Sequence, residues 1–336
     1  LVRLTSALVP PVPSRALTGG PRRAAIPSVR APAALEIKRL RHKAVQLSSA
    51  QFEYSGMVCL RTLVLTLLTC AVGSRAATIE QKTLAVLEQW KPRLEAEGLH
   101  CLAASPFVIA GDATAQQLAA YRDQTILAAA KALWATYFDK QPTEPILILL
   151  FESEGPYRRL SKKWFNDANV PHFGYYRQHE RVMVMNVATG TGTLVHELTH
   201  ALLAPDFPRM PAWFNEGLAS LYEQCTLSGS SIRGLVNWRL PALQKAIREN
   251  KLRPLEELIA DPDFYGPERS GLNYAEARYL MLYLQEHHML VDYYRQFRDH
   301  ATEDPTGIDT LRKIVAPKTV GQFETEWRAW VLRLGD

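Results

Sequence analysis

The sequence predicts an α+β fold with a helical C-terminal lobe, and three observations carry that reading. Short apolar runs alternate with segments of helical spacing between residues 79 and 153. Residues 174 to 187 alternate apolar and polar positions around a polar middle. Beyond residue 191 the spacing turns helical and stays so to the C terminus; strands and helices first, then helices only, is an α+β arrangement.

Taken in order, residues 79 to 97 read as a helix and PFVIAGD (106 to 112) as a strand. Residues 115 to 138 place apolar side chains at helical spacing with no Gly or Pro. EPILILLFES (144 to 153) is a continuous apolar run bounded by Pro and polar residues, the mark of a strand buried on both faces. GYYRQHERVMVMNV (174 to 187) suits a hairpin or an edge strand. The helix through VHELTH is expected to be capped by Thr191 or Thr193 and to stop before Pro205, with Asp206 in the following turn. Pro211 suits the start of the next helix. Residues 77 to 336 contain no Gly/Ser linker, repeat or low-complexity stretch, so a single domain is expected, with sheet and central helices over 105–225 and the helical lobe over 226–336.

Charge is unevenly distributed. Of 39 Lys+Arg and 34 Asp+Glu, eleven basic and two acidic residues precede residue 77, so the remainder carries a net charge of −4. The basic character belongs to the N-terminal tail and gives no footprint for nucleic acid. Within that tail, MVCLRTLVLTLLTCAVGSRAATIE starts at Met57, carries Arg61, runs apolar from Thr62 to Val72 and ends in small residues, including Ser74, Ala76 and Ala77. This is the layout of a secretory signal peptide over 57–76, and the run is too short for a stable membrane span; a buried apolar helix is the rival. An exported chain, periplasmic or secreted, is expected. Cys70 offers a lipoprotein anchor, although Thr69 fits that signal poorly. Residues 1 to 56, rich in Pro, Ala and Arg, read as a disordered upstream extension outside the mature protein, with an organelle transit peptide as the rival. Cys101 and Cys225 remain after the signal; one disulfide is open to them, but sequence does not place them in contact.

In VHELTH, His196 and His200 stand at i and i+4 on one helical face and can offer two imidazole nitrogens to one ion. Glu197, turned about 100° away, reaches a water on that ion rather than the ion itself. Two protein ligands are too few for a catalytic zinc. The candidate third is Glu216 in PAWFNEGLASLYE, separated from His200 by fifteen intervening residues and set among Trp213, Phe214, Leu218, Ala219 and Leu221, where a freely solvated carboxylate is less natural.

HELTH followed by WFNEGLA resembles the gluzincin metallopeptidases, the branch with a downstream glutamate as third zinc ligand. It is similar to the W-L-N-E-G-F-A segment of zinc aminopeptidases and closer to the shorter bacterial peptidase MA-like domains, and the resemblance covers most of residues 105 to 335. It implies a zincin-like, thermolysin-like fold with a mixed sheet, one Zn²⁺ held by His196, His200 and Glu216, and Glu197 as general base. It also implies an oxyanion-steadying tyrosine at the head of a later helix. Tyr274 in NYAEARYLMLYLQE stands at a comparable distance, but Glu276 and Ala277 replace the family's lysine and glycine, and a packing role is equally open; Tyr265 is a weaker substitute. No G-x-M-E-N segment precedes the zinc helix, and only Glu180 is a nearby carboxylate, so endopeptidase action on a peptide or protein substrate is favoured over aminopeptidase action. Ser220 stands where another branch has a carboxylate that orients a zinc histidine, leaving that task to Glu223 or Asn215. His172, His179, His287, His288 and His300 lack ligand spacing. Two other readings stay open: a non-catalytic binding protein retaining the fold, and a zinc amidase acting on cell-wall peptides.

Overall fold

A computed structural model describes residues 2–4 and 76–335. The expected upstream extension beyond Leu4 and the expected signal segment as far as Arg75 lie outside the described residues. After helix α1 (Ile79–Glu95) come strands β2 (His100–Ala104) and β3 (Phe107–Gly111). Helix α2 (Ala115–Tyr121) passes through a π-helical segment (Arg122–Leu127) into α3 (Ala128–Thr136), where sequence spacing predicts one uninterrupted helix. Strand β4 (Ile146–Phe151), helix α4 (Glu154–Phe165) and the hairpin β5 (Gly174–Arg177) and β6 (Val182–Asn186) follow.

These strands form one five-stranded mixed sheet in the order β2-β3-β4-β6-β5. β3, β4 and β6 run parallel, and the two edges, β2 and β5, are antiparallel to their neighbours. Alternation of side chains across the pleat sorts the apolar residues into two cores. Ile146, Ile148 and Leu150 join Ile109, Met183 and Met185 on one face, whereas Leu147, Leu149 and Phe151 join Val108, Val182 and Val184 on the other. Every residue of β4 is buried, which is why its sequence shows no polar face.

On the first face lie α5 (Gly192–Asp206), the VHELTH helix, and α6 (Ala212–Leu221). Thr191 takes the N-cap position as expected, though without a side-chain cap bond; contrary to expectation, α5 continues through Pro205 to Asp206. Asp206 is not a turn residue. It is 3% exposed and accepts from the backbone N–H of Asp139 (3.0 Å) and Lys140 (2.9 Å), from the Tyr294 hydroxyl (2.8 Å) and from Arg298 Nη1 (2.9 Å). That set of donors repays the burial of a charge and holds the proline-containing last turn in place.

The chain after α6 is not helical throughout. Cys225–Ser228 (β7) and Ser231–Gly234 (β8) form a hairpin closed by Gly229 at φ 60°, and Val2–Leu4 (β1), from the segment read as an upstream extension, pairs antiparallel with β7. The hairpin buries Cys225, Leu227 and Ile232 on one side; four-residue strands carry too short an alternation to outweigh their helical flanks in the sequence. Cys101 and Cys225 are both free thiols, so the open disulfide is not formed.

Helices α7 (Leu240–Arg248), α8 (Leu255–Ile259), α9 (Ser270–Glu286), α10 (Leu290–Asp299), α11 (Ile308–Val315) and α12 (Val320–Leu332) complete the chain, and α9 packs directly against α6. Gly217 permits that approach: a Cβ there would stand 3.0 Å from the Ala277 carbonyl oxygen. Arg278, fully buried, donates to the Ser220 (2.9 Å), Leu221 (3.3 Å) and Leu235 carbonyls, so a cation closes the C-terminal end of α6 where carbonyls lack helical partners.

Two residues before Arg278, Glu276 is also fully buried, and neither carboxyl oxygen has a hydrogen-bond partner among the described residues. Burial pushes its pKa up to about 7, with Arg253, Arg269 and Arg328 opposing. Because the folded pKa lies above the unfolded one, the neutral form favours the fold, and this contribution, complete below the unfolded value, is lost as pH rises through about 7. Glu276→Gln is expected to match the wild type near pH 4 and to be more stable near pH 8.5 by up to about 3 kcal/mol. Urea denaturation at the two pH values checks this; a variant equally or less stable at pH 8.5 contradicts it.

Candidate metal centre

One turn of α5 brings the two histidine Nε2 atoms to 3.0 Å from each other. Oε2 of Glu216, delivered by α6, lies 3.4 Å from each of them. His196 and Glu216 are buried, and His200 is half-buried. The structure therefore brings together all three residues predicted as ligands, and they form a group that can hold a metal ion.

Hydrogen bonding decides what those atoms offer. His200 Nδ1 lies 2.9 Å from Asn215 Oδ1. An amide oxygen only accepts, so Nδ1 carries the hydrogen and the neutral ring turns a lone pair outward at Nε2. His196 Nδ1 faces Glu223 Oε1 at 3.4 Å, and Glu223 is itself held by Arg239 (2.8 and 3.3 Å) and Asn237 (3.2 Å). Glu216 Oε1 accepts from the Tyr265 hydroxyl at 2.8 Å, leaving Oε2 buried with no hydrogen-bond partner. Two imidazole nitrogens and one carboxylate oxygen thus converge, and once the imidazoles are neutral all three can offer lone pairs.

A cation fits this set. Ligand bonds of about 2.0 to 2.1 Å at tetrahedral angles separate donor atoms by about 3.3 to 3.4 Å, close to the spacing found. The local field also selects positive charge. Burial draws the His196 pKa down, but Glu216 and Glu223 outweigh it and raise it to about 10; Glu216 is driven well below the usual carboxylate range despite its burial, by His196 and His200. Glu223, likewise opposed by burial, is held down at about 2 by Arg239 and His196. Asn215 and Glu223, the two residues left for the supporting role in the sequence, each face a ligand histidine.

Neither a scan against protein-family models nor a search of characterised proteins finds a match for this chain.

Glu197, half-buried, borders an open cleft of about 450 Å³ that His200, Asn215, Glu216 and Tyr265 also line. Tyr176 and Gln178 line it too, and with Ala204 they also line a second cleft of about 520 Å³. A larger cleft of about 610 Å³, against Trp90 and Trp164, contains none of the predicted site residues. Tyr274 is half-buried, 6.5 Å from the Tyr265 ring and 5.3 Å from the Arg239 guanidinium. Its hydroxyl is held protonated by burial and by the charge of Glu216. Tyr265, by contrast, lines the cleft and bonds Glu216 directly. The five histidines without ligand spacing are exposed, and Glu180 is committed to Arg177.

Removing a partner of a ligand histidine loosens its orientation and commonly weakens metal affinity by about 10- to 100-fold. Asn215→Ala and Glu223→Gln are each expected to weaken divalent-metal binding at this group within that range while the chain stays folded. Competition with a chromophoric chelator measures it, and unchanged affinity in both variants contradicts the assigned roles.

Proposed function

We propose that the chain is a zinc-dependent metallopeptidase of the gluzincin type, with a zincin-like fold, acting on extended polypeptides as an endopeptidase. The observation that carries this reading is the convergence of His196 Nε2, His200 Nε2 and Glu216 Oε2 beside an open cleft that Glu197 borders. Two nitrogens and one carboxylate oxygen at tetrahedral spacing suit zinc, and three protein ligands leave a position for water, as catalytic sites require.

The zincin-like reading draws support from the mixed sheet, whose antiparallel edge strand β5 packs beside the VHELTH helix. One side of β5 pairs with β6, and its other edge can pair with an extended peptide. The two clefts share Tyr176, Gln178 and Ala204 as lining, and this favours a chain running past the metal over one anchored by its amino terminus. With Glu180 already paired, that segment offers no free carboxylate to hold such a terminus. Export to the periplasm or beyond, with no membrane-crossing helix among the described residues, belongs to the same proposal and rests on the segment from Met57 to Ala77.

Held by His196, His200 and Glu216, a zinc ion would supply Lewis acidity to the scissile carbonyl and to the attacking water. Glu197 takes the proton of the attacking water and passes it to the leaving amine. A protonated tyrosine, Tyr274 by resemblance with Tyr265 beside it, donates to the developing oxyanion. Glu197→Gln keeps the shape but removes the base, so it is expected to retain zinc and lose at least about a hundredfold of its hydrolysis of denatured protein. Full activity in that variant would sink the mechanism.

A further inference from the structure

Tyr265 is an unusual neighbour for a buried carboxylate. It is 56% exposed, yet its hydroxyl turns inward to Glu216, a residue only 7% exposed, at 2.8 Å. Burial does not force that bond, because water is within reach of the ring. Its position is prepared locally. The ring meets Phe264 edge-on at 5.5 Å, and the loop behind it is pinned by Asp261, which pairs with Arg253 at 2.6 Å and accepts from the Asp263 N–H at 2.8 Å. Gly266 N–H to the Asp263 carbonyl, 2.9 Å, closes the turn on the other side of Tyr265.

A carboxylate has two equivalent oxygens and can grip one ion with either or both. Both-oxygen binding would fill a coordination position that a hydrolytic site needs for water. In Glu216 the symmetry is already broken: Oε1 is taken by Tyr265, and Oε2 faces the two histidine nitrogens with no hydrogen-bond partner. Resting on the metal-site reading above, we infer that Tyr265 is a positioning residue that makes Glu216 a one-oxygen ligand and so keeps a coordination position open. Asn215 and Glu223 set the two histidine rings, and Tyr265 performs the matching task for the carboxylate.

The test uses the full chain with zinc and cobalt(II) ions alone, so its readout does not depend on hydrolysis. Four-coordinate cobalt absorbs visible light more strongly than five-coordinate cobalt, so the band reports how many atoms grip the ion. Tyr265→Phe keeps the ring and removes only the hydroxyl. It is expected to weaken zinc binding about tenfold and to give a weaker, shifted cobalt band at full loading. Tyr265→Ala separates the ring from the hydroxyl. If Tyr265→Phe matches wild type in affinity and spectrum while Tyr265→Ala does not, the ring alone matters and the inference is overturned. A wild-type chain that binds neither ion fails the proposed function itself, and this inference with it; a wild type that binds both, with an unaltered Tyr265→Phe, fails this inference alone.

Discussion

His196 Nε2, His200 Nε2 and Glu216 Oε2 face one another across 3.0 to 3.4 Å. In this buried setting the carboxylate demands a positive charge among the three atoms, which a proton on His196 or a bound cation supplies, and the surrounding structure holds the three together. Two crossing helices supply the atoms. Each ligand is also tied from behind: His200 by Asn215, His196 by Glu223 with Arg239, and Glu216 by Tyr265. Behind α6, Gly217 lets α9 pack close and Arg278 closes the helix end, so the glutamate is fixed from its backbone outward. At the far end of α5, Asp206 ties the last turn to Tyr294 and Arg298 of the helical lobe. The three side chains thus hang on rigid elements, beside a cleft that Glu197 and the edge-strand residue Tyr176 help to line.

Much of this was legible in the sequence because the decisive spacings are local. An i, i+4 histidine pair states its own geometry on any helix, and a glutamate flanked by aromatic and aliphatic residues announces burial. The buried strand at 146–151 and the hairpin at 174–186 were readable for the same reason, since a period of two or an unbroken apolar run survives tertiary context.

What escaped was set by contacts distant in sequence. Asp206 looked like a turn residue because a proline precedes it, but its partners come from residues 139, 140, 294 and 298. The bond from Tyr265 to Glu216 spans 49 residues and arises in a loop with no periodicity to read. Strand β2 and the hairpin at 225–234 fell below the length at which alternation separates from chance, although the Gly229–Ser230 turn between Leu227 and Ile232 was a usable signal. Asn215 and Glu223 were within reach because they lie on or just beyond the glutamate helix, and a histidine ligand commonly needs an acceptor at its second nitrogen.

The most direct measurement of the central claim is the zinc stoichiometry and dissociation constant of the purified chain beside Glu216→Gln, which preserves shape and removes the negative charge. About one zinc per wild-type chain and strongly weakened binding in the variant are expected, because the carboxylate supplies both a ligand atom and the neutralising charge. A folded wild type that takes up no zinc, or a variant that binds it as tightly, would contradict the claim that these three atoms form a metal centre.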